Sequence, residues 1–420
     1  MDASQAPARL VQTPASFNHW GLDLTAPEFL ADPYPAYRRL LREFPVCRDE
    51  PSNTWFVSRH ADVHTLLRDP RLSSDQLDIY MERLPAEEQA AAAPLRDVLT
   101  HRLLLTDNPT HLRIRGLIQQ AFTPRRIEAM RPIIQETIDD LLDRVESSGS
   151  MDLIGAFADP LPSRIIAGML GLPPEERGRY KVWTDDIYAF MGLSAAPVGE
   201  RARRATASVR QLTAHLGEVF AAVRRQPRDD LLSALVAARE QEDRLTETEL
   251  FSNVVGLING SHETTTNLIG NTVLTLLQNP EQRERLAAEP GLLANAVEEG
   301  LRYESPIQMI SRRAREDVRI GAVTVQHGER VAFLLGAANR DPEVFPDPDR
   351  FDVTRPEVKH LAFGGGPHFC IGAALGRLEG QLAIESVFRR FPRLRLAKAE
   401  VCWRPYPVFR GLRALPVEWA

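Results

Sequence analysis

The residues best able to do chemistry lie in one short stretch, Phe363-Gly364-Gly365-Gly366-Pro367-His368-Phe369-Cys370-Ile371-Gly372. Behind it, Ile371, Leu375, Leu378 and Leu382 share one face of an amphipathic segment running to Arg390, so Cys370 stands at a predicted helix N-terminus. Free backbone N–H groups and the positive end of the helix dipole favour a thiolate there. The glycines allow backbone to approach a flat ligand and to take positive φ. Two chemistries suit such a cysteine: nucleophile, with His368 as a nearby base, or soft metal ligand. Cys47 and Cys402 lie far from it in sequence, which excludes a disulfide framework and a paired zinc signature. Both read as small buried hydrophobes.

The stretch resembles the haem-ligand loop of the cytochrome P450 family, Phe-x-x-Gly-x-(His/Arg)-x-Cys-x-Gly. Phe363, Gly366, His368, Cys370 and Gly372 meet every specified position. The resemblance implies haem b as cofactor and Cys370 as the axial thiolate of its iron, a ligand that pushes electron density onto the metal and favours O–O cleavage. It also implies that Phe363 packs near the sulfur side of the macrocycle and that His368 lies near a propionate.

Gly260-Ser261-His262-Glu263-Thr264-Thr265, midway along a predicted helix over 248–278, resembles the family's oxygen-activation motif, (Ala/Gly)-Gly-x-(Asp/Glu)-Thr. Gly260, Glu263 and Thr264 match; Ser261 replaces the usual Gly. Small residues let a helix pass close over a flat cofactor. A Thr bonding the carbonyl four residues back, here Gly260, bends the helix and opens it to O₂ and water. Glu263 and Thr264 supply the acid and hydroxyl of a proton relay.

Haem carries two carboxylates, and Arg suits bidentate carboxylate binding. The resemblance assigns them His111 and Arg115, four apart on a helix after Asp107-Asn108-Pro109, together with Arg312 (or its neighbour Arg313) and His360. Glu299-x-x-Arg302 matches the family's Glu-x-x-Arg, and Arg350 is the expected third member of a structural lock beneath the cysteine loop.

These residues must be positioned by a mainly α architecture. Helical periodicity is predicted over 128–146, 212–225, 248–278 and 371–390, the third ending at Asn279-Pro280. Strand signals are fewer: 54–57, a hairpin of 318–325 and 329–335 around Gly328, and late strands at 394–396 and 412–417. Pro- and Asp-rich texture from 340 to 366 predicts an irregular segment before the cysteine loop. The expected fold is mainly α with small β-sheets, cytochrome P450-like. Residues 1–20 are expected to form a poorly ordered tail and 21–420 one haem-thiolate monooxygenase domain.

The 420 residues are 43% hydrophobic, enough for a large core, and the net charge of -6 argues against general nucleic-acid binding. No secretory signal and no apolar run long enough to span a membrane is visible, so a cytoplasmic protein without a membrane anchor is expected. The resemblance implies insertion of one O₂ oxygen into an apolar small molecule. A polyketide or terpenoid of secondary metabolism is the first expectation, a fatty acid or steroid the alternative. It further implies electrons from a ferredoxin-type donor with a separate reductase, for which Arg113, Arg125, Arg126 and Arg377 offer a basic docking patch. A haem sensor or a peroxide-driven enzyme fits less well, because Glu263 and Thr264 are both present.

Overall fold

The structure is a computed structural model, describing residues 23–24, 26–49, 52–120, 122–172, 176–191, 196–228, 230–238, 245–398 and 400–419. The expected tail at 1–20 lies outside the described residues.

The long helix Glu247–Gln278 runs through the middle of the molecule. Thr246 starts it with a reciprocal capping box to Glu249, and Asn279-Pro280 ends it. At 32 residues it spans about 48 Å. From Thr265 to Leu276 every residue is buried, so this half of the helix is core on all sides. Helices Pro160–Met169, Leu293–Tyr303 and Ala373–Arg390 pack on it. The main hydrophobic core gathers around it, from Leu77 to Val417.

A five-stranded sheet lies to one side, in the order Val46–Asp49, Thr54–Val57, Arg330–Leu334, Met309–Ala314, Leu72–Ser73. Val57 pairs with Phe333 in a parallel ladder and Met309 with Leu334 in an antiparallel one. Strand Met309–Ala314 faces Arg312 inward. The sheet thereby carries an arginine toward the end of the helix Thr110–Gln119, where His111 sits.

Several expectations change. The helix predicted over 128–146 is two, Pro124–Ala129 and Arg131–Glu146, broken at Met130 ahead of Pro132. The hairpin turns at Gly321, not Gly328. Strands Val318–Ile320 and Val323–Val325 pair with each other, while Arg330–Leu334 joins the large sheet. The late segment 412–417 divides between two sheets as Leu412–Ala414 and Pro416–Glu418. Cys47 is buried as expected, but Cys402 is exposed on a two-residue strand.

Candidate active site

The cysteine loop owes its shape to two glycines and one amide. Gly364 and Gly366 have φ of 69° and 63°, the left-handed region. A Cβ on Gly366 would meet the Leu67 carbonyl oxygen at 2.6 Å, so no other residue fits there without moving backbone. The Cys370 N–H closes the loop on the Phe363 carbonyl at 2.9 Å. The following helix, Ala373–Arg390, begins after Gly372, two residues beyond the cysteine.

Cys370 is exposed to solvent, yet burial raises its thiol pKa, opposed by a backbone hydrogen bond from Gly372 and by Arg115 and Arg377. A thiol that is both accessible and enclosed lines an internal hollow. Gly260 on the long helix is also exposed, with no atom within 4 Å of where its Cβ would stand. The Thr264 hydroxyl donates to the Gly260 carbonyl at 2.8 Å, the bond expected from sequence. Ser261 donates to the carbonyls of Leu257 and Ile258, at 2.7 and 3.2 Å, so its hydroxyl is held along its own helix.

Beside this hollow the structure brings together His111, Arg115, Arg312 and His368. The imidazoles of His111 and His368 lie 4.1 Å apart between centroids. Neither ring nitrogen of His111 has a hydrogen-bond partner. Arg312 is buried and donates only to the carbonyl of its neighbour Ser311, at 2.8 Å. Burial lowers its pKa to about 10, with Asp107 acting in the opposite direction. Burial, then Arg312 and His111, hold His368 down to about 3. Asp107 is already engaged by Ser73, Ser74 and Arg315. Four cationic or donor groups thus converge with no carboxylate of their own. Arg313 is the more exposed of the two candidate arginines.

His360 stands apart from this group. It receives the Ala362 N–H on Nδ1 at 3.2 Å, which leaves Nε2 to meet Glu298 at 3.2 Å. Arg377 clasps the same carboxylate at 2.7 and 2.8 Å and lies 4.5 Å over the Phe363 ring. Burial would raise the Glu298 pKa, but Arg377 and His360 together hold it down to about 2.

The lock below the loop needs a correction. Arg302 makes a two-pronged pair with Glu299, both bonds 2.7 Å, with zero side-chain exposure. The third member is Arg355, whose Nε lies 3.2 Å from both Glu299 oxygens. The Arg350 side chain points outward and contributes only its carbonyl, which accepts from Arg302 at 3.1 Å. Arg302 also donates to the Asn339 carbonyl, and the Asn339 side chain accepts the Leu361 N–H at 2.7 Å. That chain ties the lock to the irregular segment entering the cysteine loop.

Sequence reasoning missed two partners. Arg404 holds Glu263 by two bonds of 2.8 Å, from a segment 141 residues away, and Asn267 adds a third at 3.3 Å. Glu379, on the helix behind Cys370, is fully enclosed, with one oxygen unpartnered and its pKa raised to about 8 by burial. The expected docking patch is also thinner than expected. Arg113 is spent on Glu249 and Arg377 on Glu298, leaving Arg125 and Arg126 exposed. Phe190 and Val255 are closed into the main core, and Met309 packs in a separate cluster near Tyr37.

Known proteins resemble this chain over most of its length. The family description Cytochrome P450 matches residues 182–400. The chain is 43% identical to Cytochrome P450 107B1 of Saccharopolyspora erythraea, covering 93% of this chain and 95% of that protein. The chain belongs to the cytochrome P450 family. It is a haem-thiolate monooxygenase whose cofactor is haem b. This P450 is also 34% identical to the polyketide biosynthesis cytochrome P450 PksS of Bacillus subtilis, over 93% of this chain and 96% of that one. The crystal structure of myxobacterial cytochrome P450 CYP267B1 in complex with myristic acid superposes with a TM-score of 0.85 at 41% identity, over 94% of this chain and 98% of that one. No helix among the described residues of the P450 is long and apolar enough to cross a membrane.

The residues present fit the cofactor. An accessible thiol in an enclosed hollow suits iron. Two orphaned imidazole nitrogens and an uncompensated buried guanidinium suit carboxylates. A bare helix backbone at Gly260 suits a flat ring.

Proposed function

We propose that Cys370 would hold the haem iron of this monooxygenase through its thiolate and that His111, Arg115, Arg312 and His368 would receive the haem carboxylates. The observation that carries this is the gathering of those four groups beside Cys370 without an acid. When bound, haem supplies the activation of O₂ and the oxidation of substrate. The protein's part is to place groups around it. Phe363 covers the proximal side, where Arg377 and His360 brace it through Glu298. Gly366 and Gly372 shape the loop, and Gly260 leaves the distal face open.

Thr264 moves protons on the distal face. Its hydroxyl gives its own hydrogen to the Gly260 carbonyl, so its oxygen lone pairs are free to hold water near the opened helix. Glu263 feeds that water from the outer side, after rotating away from Arg404.

The substrate is an apolar small molecule of medium to large size, a polyketide or a long acyl compound, taken up in the cytoplasm. The name of PksS and the myristic acid held by CYP267B1 support that class. Electrons come from a ferredoxin-type protein docking beside the exposed Arg125 and Arg126.

The test is spectroscopic and kinetic. Cys370→Ala should lose the red-shifted band of the reduced carbon monoxide complex. Thr264→Ala should keep that band but consume O₂ without matching product. An unchanged band in the first variant removes the ligand assignment; full coupling in the second removes the relay.

A further inference from the structure

Six arginines are buried among the described residues: Arg102, Arg302, Arg312, Arg340, Arg355 and Arg410. Four of them pair with acids. Arg302 and Arg355 share Glu299, Arg340 meets Asp349, and Arg410 meets Glu304. Arg312 has no acid and stands where the haem carboxylates are placed. Arg102 is the remaining one. It is 3% exposed, its Nε has no hydrogen-bond partner, and its one side-chain contact to a polar atom is Nη1 to the Met191 sulfur at 3.6 Å. A thioether is a weak acceptor and cannot balance a charge. A buried guanidinium without a counter-charge is strongly disfavoured, and proteins pair such groups.

Its surroundings place it on the substrate side. A Cβ at Gly256 would lie 3.5 Å from Nε and 3.8 Å from Nη2, so the long helix presents bare backbone to the guanidinium one turn before Gly260. Met191 ends the helix Arg177–Phe190. On that helix Tyr188 feels the charges of both Arg102 and Glu263. Burial raises the Tyr188 phenol, yet the residue keeps accessible surface, the same combination seen at Cys370. Its ring meets Phe409 edge-on at 6.0 Å, and Phe409 is bridged to Ile307. Arg102, Tyr188, Gly256, Phe409 and Ile307 come from five separate segments: Gly256 approaches Arg102, Tyr188 feels its charge, and Phe409 joins Tyr188 to Ile307 along one wall. Apart from Arg102 and the phenol, that wall is apolar.

We propose that Arg102 is a substrate-binding residue that takes a carboxylate, so that the substrate is an apolar molecule ending in a free acid, with Tyr188 as the second donor. This rests on the monooxygenase reading and names its substrate class. The acid would occupy the distal end of the pocket near Gly256 and leave the apolar body running toward Gly260 and Thr264. Desolvated in that wall, a carboxylate gains a charge-assisted, two-pronged bond and relieves the unpaired guanidinium at once.

The test uses haem-loaded protein titrated with decanoate, tetradecanoate and octadecanoate and with their methyl esters, followed by the haem spin-state shift. Wild type should bind at least one acid more tightly than its ester. Arg102→Leu should weaken the acid by roughly 10- to 100-fold, the worth of a hydrogen bond to a charged group, and move the ester by less than about threefold. Arg102→Lys should recover part of the acid affinity. Thermal unfolding of ligand-free Arg102→Leu should occur no lower than in wild type, since an unanswered charge has been removed. Preference for the esters, binding of neither series, or equal weakening of both in Arg102→Leu overturns the proposal. So does a clear drop in its ligand-free melting temperature. The carbon monoxide band and the coupling of Thr264→Ala are read on the same preparations, so failure of the monooxygenase reading shows separately.

Discussion

Two buried polar regions of this molecule follow opposite rules. Around Glu299 the donors are answered within the chain: two arginines share one carboxylate, and the spare guanidinium hydrogens reach the carbonyls of Asn339, Pro348 and Arg350. In the corner of His111, Arg115, Arg312 and His368 no carboxylate pairs with the donors: His111 has no partner, Arg312 reaches only the Ser311 carbonyl, and His368 meets the Ser74 hydroxyl at 2.9 Å. The first region is complete within the chain and holds the fold. The second, in the function proposed above, is where haem carboxylates would bind. A buried cationic donor without a counter-charge is costly, so it points to a partner outside the chain. Arg102 follows the second rule, and this is why it points to a ligand.

The contrast breaks most visibly at Glu299. Glu299→Gln leaves Arg302 and Arg355 buried without a charge partner and should cost about 3–5 kcal/mol of stability. Chemical denaturation of the haem-loaded protein reads this, and a loss below about 1 kcal/mol would show that the lock does not hold the fold. Glu379 sharpens the comparison through pH. Burial pushes its carboxyl up to about 8, so the folded protein holds a proton that the unfolded chain releases near its ordinary value of 4.5. The folded state binds more protons, so this contribution is whole below about 4.5 and is lost as pH rises through about 8. Glu379→Gln should therefore gain on the order of 2 kcal/mol over wild type at pH about 7.5 relative to pH about 5. A difference that does not grow with pH between those points would contradict it. Glu298 runs the other way: held at about 2, it contributes above about 4.5 and loses that contribution only as pH falls toward 2.

Smaller effects divide the two regions further. Arg312→Leu should leave the haem-free protein melting no lower than wild type, while haem transfer to an external acceptor speeds up on the order of tenfold, the worth of a charge-assisted bond. A destabilised haem-free protein with unchanged haem retention would place Arg312 with the structural arginines instead. Arg350→Ala should move stability by less than about 0.5 kcal/mol, as for ordinary surface substitutions. A loss comparable to that of Arg355→Ala would restore Arg350 to the lock.

Much of the site was legible because its pieces are local. Phe363 to Gly372 form one loop, and Thr264 reaches Gly260 across a single helical turn, so spacing alone fixes their geometry. Less legible was which of two similar residues in an irregular segment turns inward. Arg350 and Arg355 both lie in the Pro- and Asp-rich stretch, and no periodicity assigns a direction there. The same limit put the hairpin turn at Gly328, since either Gly321 or Gly328 could supply the positive φ that both in fact have. The docking arginines read as free because nothing in the sequence showed Glu249 and Glu298 waiting opposite them.

By itself the sequence determined the family and the cofactor, and it fixed the cysteine loop and the Thr264–Gly260 bond, because those are written in residue types at short, fixed separations. Only the tertiary structure decided the pairings across the chain: Glu263 with Arg404, Glu299 with Arg355, and the isolation of Arg102. A side chain's charge is set by its own chemistry. Whether that charge is answered depends on what folding brings within about 3 Å of it.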